Sequence, residues 1–174
     1  MLNKTNLNKN FITNIGADWA AKIADTTWKV GGNTWANIGT QPAKTAYQNE
    51  IVSPVPTNTT DNATEYSAKV GLMYVSDYMY AAPQDKWTLV GYNSDASKDY
   101  RAATSVNWMY MGLYEWTLSR YADYAYFVFI VYSSGSVNSR TANSAYGVRP
   151  VFNLSSSVNY VSGSGTAADP ILVN

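Results

Sequence analysis

SRYADYAYFVFIVYSSGSVNSRTANSAY, from Ser119 to Tyr146, decides the fold class. Its centre, Tyr124 to Tyr132, is a run of aromatic and β-branched residues, the types that fit a pleated sheet. Period-two alternation puts Phe127, Phe129 and Val131 on a core face and Tyr126, Val128, Ile130 and Tyr132 on the other. So apolar a strand would invite aggregation at a sheet edge, so it belongs inside the sheet, with one face opening onto a binding surface. Ser, Gly and Asn then punctuate further β-prone segments at Ser136–Arg140, Tyr146–Asn153 and Ile171–Val173, which reads as a meander.

Upstream, Ile12, Ile15, Trp19 and Ile23 recur at three-to-four spacing and predict one helix over Phe11–Ile23. Residues 26–30 predict a strand, Gly31-Gly32-Asn33 a tight turn, and Thr34-Trp35 a return strand. From Gly39 to Thr64 the chain is polar and broken by Pro42, Pro54 and Pro56, as in a long surface loop. Residues 68–76 predict a central strand, Ser76-Asp77 a cap for a short helix ending before Pro83, and residues 91–104 a polar loop. The class expected is α+β, with short mixed and antiparallel strands and an N-terminal helix. Residues 1–25 read as an extension with that helix, and 26–174 as one domain.

The 174 residues carry 12 Lys+Arg against 12 Asp+Glu, without a basic run, which gives no electrostatic reason to expect nucleic acid. There is no His and no Cys. That removes thiolate nucleophiles, Ser-His triads, disulfides and most zinc sites together. No apolar run approaches the roughly 20 residues of a spanning helix, so membrane insertion by this chain is not expected. Met1–Asn10 is Asn/Lys-rich and lacks a signal peptide's apolar stretch, which leaves a cytosolic chain and a processed one both open.

Across the 28 positions 119–146 there is no Lys, Glu, Gln, Met or Trp, although the remaining 146 positions hold eight, three, three, five and six of them. Proportion alone predicts about five in the window. Around its apolar strand the window is mainly Tyr, Ser, Asn, Asp, Arg and Ala, the chemistry of antibody loops, where rigid aromatics supply area and small polar residues supply adaptable hydrogen bonds. The candidate ligand-binding residues are therefore Tyr121, Asp123, Tyr124, Tyr126, Ile130, Tyr132, Ser134, Asn138, Arg140, Asn143 and Tyr146. For each tyrosine the competing reading is half-buried sheet packing, and for each polar residue it is plain turn chemistry.

KVGLMYVSDYMYAA (69–82), NWMYMGLYEWTLSR (107–120), YGVRPVFNL (146–154) and GSGTAADPI (163–171) resemble, in content and order, the variable proteins of diversity-generating retroelements. Those bacterial and phage proteins carry a C-type lectin fold like the formylglycine-generating enzymes and the phage major tropism determinant. The resemblance implies that 26–174 is a C-type lectin-like domain, with a variable region over about 113–146. It also accounts for the missing residues: asparagine codons mutated at adenines become codons ending in a pyrimidine, which encode none of those five types. Leu113 and Tyr114 match positions that vary in the family, which adds Tyr114 to the candidates. Trp108, Trp116, Arg149 and Phe152 fall in the constant blocks as scaffold, with Arg149 pairing with Glu115 or Asp77.

The family implies a receptor or cell-surface ligand, display outside the cell, and assembly into a pilus or a phage particle. Pilin-like members carry an apolar helix ahead of this domain, of which Phe11–Ile23 would be the last part. No catalytic residue, metal or cofactor is expected: formylglycine chemistry uses cysteine, calcium-dependent sugar binding uses a Glu-Pro-Asn-type run, and neither is present. A glycosidase would have to use Glu115 with Asp123, or Asp77 with Asp85. The alternatives are a structural pilin-like or surface subunit and a carbohydrate-binding module.

Overall fold

In the computed structural model, which describes residues 2–34, 43–57, 63–86 and 104–174, helices and short strands alternate, the α+β class expected. A wide-turned π-helix, Leu2–Phe11, leads into α1 (Ile12–Asn14) and α2 (Ala17–Lys22). The single helix expected over Phe11–Ile23 is broken because Gly16 takes φ 88°, a left-handed conformation open to glycine at little cost. Then follow β1 (Thr26–Lys29), β2 (Gly32–Asn33), α3 (Ala43–Tyr47), a second π-helix (Gln48–Val52), β3 (Glu65–Ala68), β4 (Val70–Leu72) and α4 (Val75–Tyr80). The second half holds β5 (Glu115–Tyr121), β6 (Phe127–Val131), β7 (Val137–Thr141), β8 (Pro150–Phe152), β9 (Tyr160–Ser162) and β10 (Leu172–Val173).

Two compact units form. The first comprises Met1–Thr26, Ser67–Gly71 and Val151–Asn174, so the N-terminal segment packs with the end of the chain and is not a separate extension. Asn8 explains part of this: its Nδ2 donates to the Val70 carbonyl (2.9 Å) and its Oδ1 accepts from the Val70 N–H (2.9 Å), replacing a strand partner. Ile23, 1% exposed, bridges to Leu154, and Phe11 lies 6.4 Å from Phe152. β9 and β10 form an antiparallel hairpin whose side chains are largely exposed.

The second unit, Thr27–Tyr66 with Leu72–Pro150, carries the main sheet in the order β2-β5-β6-β7. β5, β6 and β7 are antiparallel and β6 is interior. The meander expected beyond Phe127 holds for β6 and β7 alone: β8 leaves this sheet to pair with β4, and β10 pairs with β9. The hairpin expected at Gly31-Gly32 does not form. β2 instead runs parallel to β5, pairing Gly32 with Arg120, while β1 pairs with β3. The glycines serve close approach: a Cβ at Gly31 would sit 2.8 Å from the Glu50 carbonyl, and one at Gly32 2.8 Å from that of Arg120.

Two further expectations are corrected. The loop read over 39–64 contains α3 and a π-helix, because Ala43, Ala46 and Glu50 recur at helical spacing and are all buried. The long central strand over 68–76 is instead β4, which among the described residues pairs with β8 alone, followed by α4. Asp77 caps α4, its Oδ2 accepting the Tyr74 N–H at 2.8 Å, and the helix stops before Pro83 as expected. Trp35 and the polar loop read at 91–104, all but Thr104, lie outside the described residues.

Candidate functional site

Glu115 and Arg149 build the site's foundation. The Arg149 guanidinium donates to both carboxylate oxygens, Nε to Oε1 at 3.2 Å and Nη2 to Oε2 at 2.7 Å, and Nη2 also reaches the Met109 carbonyl at 2.8 Å. A buried carboxylate held in a two-pronged clamp fixes geometry. It draws the 146–149 segment alongside the start of β5, where Gly147 donates to the Tyr114 carbonyl (2.8 Å) and accepts from the Trp116 N–H (3.0 Å). A Cβ on Gly147 would come within 3.0 Å of the Tyr114 carbonyl, so the approach suits glycine.

This alignment sets Tyr146 onto its neighbours. Its ring stacks on Tyr114 (5.4 Å, 18°) and leans on Trp116 (5.2 Å). Tyr132 meets Tyr114 at 4.7 Å, and the Arg140 guanidinium lies 4.9 Å from the centre of the Tyr132 ring. The register explains the convergence. Trp116 opposes Ile130, Ile130 opposes Asn138, and Val128 opposes Arg140, so these side chains share one face, with Tyr114 and Tyr132 following by alternation.

Hydroxyl bonding separates two kinds of tyrosine. The Tyr74, Tyr78 and Tyr110 hydroxyls donate to backbone carbonyls of Lys29, Gly135 and Ser133 at 2.6–2.9 Å, tying loops to the core. The Tyr114, Tyr132 and Tyr146 hydroxyls have no partner among the described residues, and only their rings are engaged.

Of the residues expected at the surface, Tyr114, Tyr132, Asn138, Arg140 and Tyr146 converge on this face. Ile130 shares the face but is 0% exposed, a correction to its assignment as a contact residue. The Arg140–Tyr132 contact spans the row holding Ile130 and Asn138, and Trp116 flanks Ile130 from β5. Tyr121 is the second correction. At 7% exposed it packs edge-on against Phe129 (5.4 Å, 90°) and Phe127 (6.0 Å). Burial and the neighbouring Asp123 charge push its hydroxyl pKa upward.

Tyr124 and Tyr126, 51% and 60% exposed, form a second aromatic cluster at the β5–β6 turn beside half-buried Asp123. At a strand rise of about 3.3 Å per residue, the chain from Tyr126 to Tyr132 separates the two clusters by roughly 20 Å. Ser134 is exposed in the β6–β7 turn, its Oγ 3.1 Å from that of Ser136. Asn143 is exposed in the turn after β7, and no contact brings it to either cluster.

Among the scaffold residues, Trp116 is buried and Phe152 half-buried, but Trp108 is 79% exposed. The Asn107 side chain bonds the Tyr78 carbonyl and the Met109 N–H, which turns Met109 inward and Trp108 outward. Glu115 is committed to Arg149 and Asp77 to capping α4, which employs one member of each acidic pair a glycosidase would need. Among the described residues no group of three or more acidic side chains could hold a metal ion.

Sequence reading missed Glu50. Fully buried, it accepts from Asn33 Nδ2 (2.7 Å), Ser119 Oγ (2.6 Å) and the Ser76 N–H (3.1 Å), joining β2, β5 and α4 beneath the sheet. Burial pushes its pKa up to about 7, against the lowering effect of the Ser119 and Ser76 hydrogen bonds. Helical recurrence of Ala43, Ala46 and Glu50 was the available signal.

In comparison with known proteins, residues 4–156 match the model of a family described as Domain of unknown function (DUF6273). No curated protein and no solved structure matches the chain.

Proposed function

The chain belongs to the DUF6273 family, and from that premise we propose that it is a non-enzymatic binding protein. It displays a retroelement-diversified surface on a rigid C-type lectin-like scaffold. One observation carries the reading: Tyr132, Asn138, Arg140 and Tyr146, chosen for paratope-like chemistry, share one face of the sheet with Tyr114, chosen from the resemblance, and the three phenol hydroxyls lack partners among the described residues.

Aromatic pairs contribute about 0.5–1.5 kcal/mol each beyond burial, which holds the rings in place before a ligand arrives and reduces the ordering cost of binding. The clamp of Glu115 and Arg149, built from residues of the constant blocks, supports the division between fixed frame and variable surface. The ligand class is a protein or cell-surface receptor, and the setting is the cell surface, a pilus or a phage particle. The test is the surrounding DNA. A reverse transcriptase with a near-copy of codons 107–150 differing mainly at adenines is the expected finding, and an intact locus with neither refutes diversification.

A second reading, a structural subunit, is favoured by the β9–β10 hairpin, where Tyr160, Val161 and Leu172 are each more than half exposed. An isolated two-stranded hairpin is marginal in water, and assembly would cover it. Concentration-dependent self-association in sedimentation, abolished by Val161→Lys, is its signature. A monomer at all concentrations removes it.

A further inference from the structure

Arg140 is unlike the other described arginines. Arg149 has Glu115, and Arg120 donates to the Ala63 carbonyl and Thr57 Oγ1. Arg140 is half-buried over the Tyr132 ring and spends only Nη1, on the Asn138 Oδ1 (3.4 Å) and the Ser139 carbonyl (2.9 Å). Its Nε and Nη2 have no acceptor, and its charge no acidic partner, among the described residues. Withdrawing a guanidinium from water without a counter-charge is costly unless something supplies one.

The surrounding groups can answer an anion. The Tyr114, Tyr132 and Tyr146 hydroxyls can all donate, and the nearest amide oxygen, Asn138 Oδ1, is already occupied by the Ser139 N–H (2.7 Å) and Arg140. The face thus presents groups able to donate hydrogen bonds around a fixed positive charge, beside the aromatic rings of Tyr114, Tyr132 and Tyr146. Its complement is an anionic acceptor beside an apolar group.

Resting on the binding reading above, we propose that this site recognises a carboxylate on a protein ligand. An Asp or Glu side chain would pair with Arg140, accept from the tyrosine hydroxyls and carry a neighbouring apolar residue onto the Tyr114 ring. A neutral glycan is less well served, because it brings no anion to the Arg140 guanidinium, whose Nε and Nη2 have no acceptor among the described residues.

The experiment is selection from a random-peptide phage library on the full chain, with the recovered peptides measured by calorimetry against the wild type, Arg140→Gln and Tyr114→Ala. The expected result is enrichment of Asp or Glu next to an apolar residue, with affinity falling about tenfold to a hundredfold in Arg140→Gln, as for loss of a charged hydrogen bond. Binders that depend on Tyr114 but ignore Arg140→Gln, with no acidic enrichment, overturn the carboxylate assignment and leave the binding surface standing. Polygalacturonate, a carboxylate-bearing glycan, is the second probe. Arg140-dependent binding of polygalacturonate without acidic peptides moves the carboxylate to a sugar and overturns the protein ligand. Recovery of no peptide sensitive to Tyr114→Ala overturns the site and the binding reading together.

Discussion

Glu50→Gln should change how stability depends on pH. A carboxyl that ordinarily titrates near 4.5 and is pushed up to about 7 by burial keeps its proton in the folded protein after the unfolded chain has lost it. Below pH 4.5 both states are protonated and the contribution is complete. Between 4.5 and 7 the folded state binds one proton more than the unfolded state, so stability declines as pH rises, by about 1.4 kcal/mol per pH unit. Over the window this amounts to about 3 kcal/mol, and above pH 7 the slope from this group vanishes. Asp77, also raised by burial, adds a slope of the same sign in wild type and variant alike. Gln keeps the side-chain shape but has no proton to lose. Urea denaturation at intervals from pH 4 to 8 is the assay, and the readout is the difference between the two curves. The variant should lose about 3 kcal/mol less stability across the window, whatever constant offset its amide introduces against the three donors. Parallel curves would refute the assignment of a raised pKa to Glu50 and with it the account of the hub.

Tyr121→Ala, which empties a site between Phe127 and Phe129, should cost about 3–5 kcal/mol in denaturant unfolding, whereas Tyr124→Ala at an exposed position should stay within about 0.5 kcal/mol. Equal costs would contradict the division of the tyrosines into core and surface. Arg149→Leu leaves the 3%-exposed Glu115 without its counter-charge and should destabilise by about 3 kcal/mol, and adding Glu115→Gln should recover part of that in the same assay. A full cost retained in the double variant would mean that Arg149 acts through packing alone.

β6, β7, β8 and β10 were legible because aromatic and β-branched residues alternate with Ser and Gly turns, whereas β9, a short strand among Ser and Asn, was not. Pairing partners were not. Gly31-Gly32 is a good turn dipeptide, and only the passage of β2 against Glu50 and β5 reveals that the missing side chains are used for proximity. Asn8 lay in a polar segment that hydropathy treats as solvent, yet its amide completes β4 from 62 positions away. The site was read in part: composition identified tyrosines and polar residues without saying which ring turns inward. Tyr121 and Ile130 are indistinguishable by type from exposed residues, and only the register of β5, β6 and β7 sorts them.

The contacts between Tyr114 and Tyr146 and the bonds of Gly147 lie at the two ends of the window that contains the candidate residues. The window is therefore a closed cassette, its entry and exit joined by a latch at its two ends. Closure of this kind fixes where the intervening chain must begin and finish but not its length. Since doubling a flexible loop adds only about 0.6 kcal/mol of closure entropy, an exposed turn such as the one holding Asn143 could lengthen without moving the ends. A module bounded in this way should be exchangeable as a whole wherever the glutamate, the arginine and the glycine of the latch are kept.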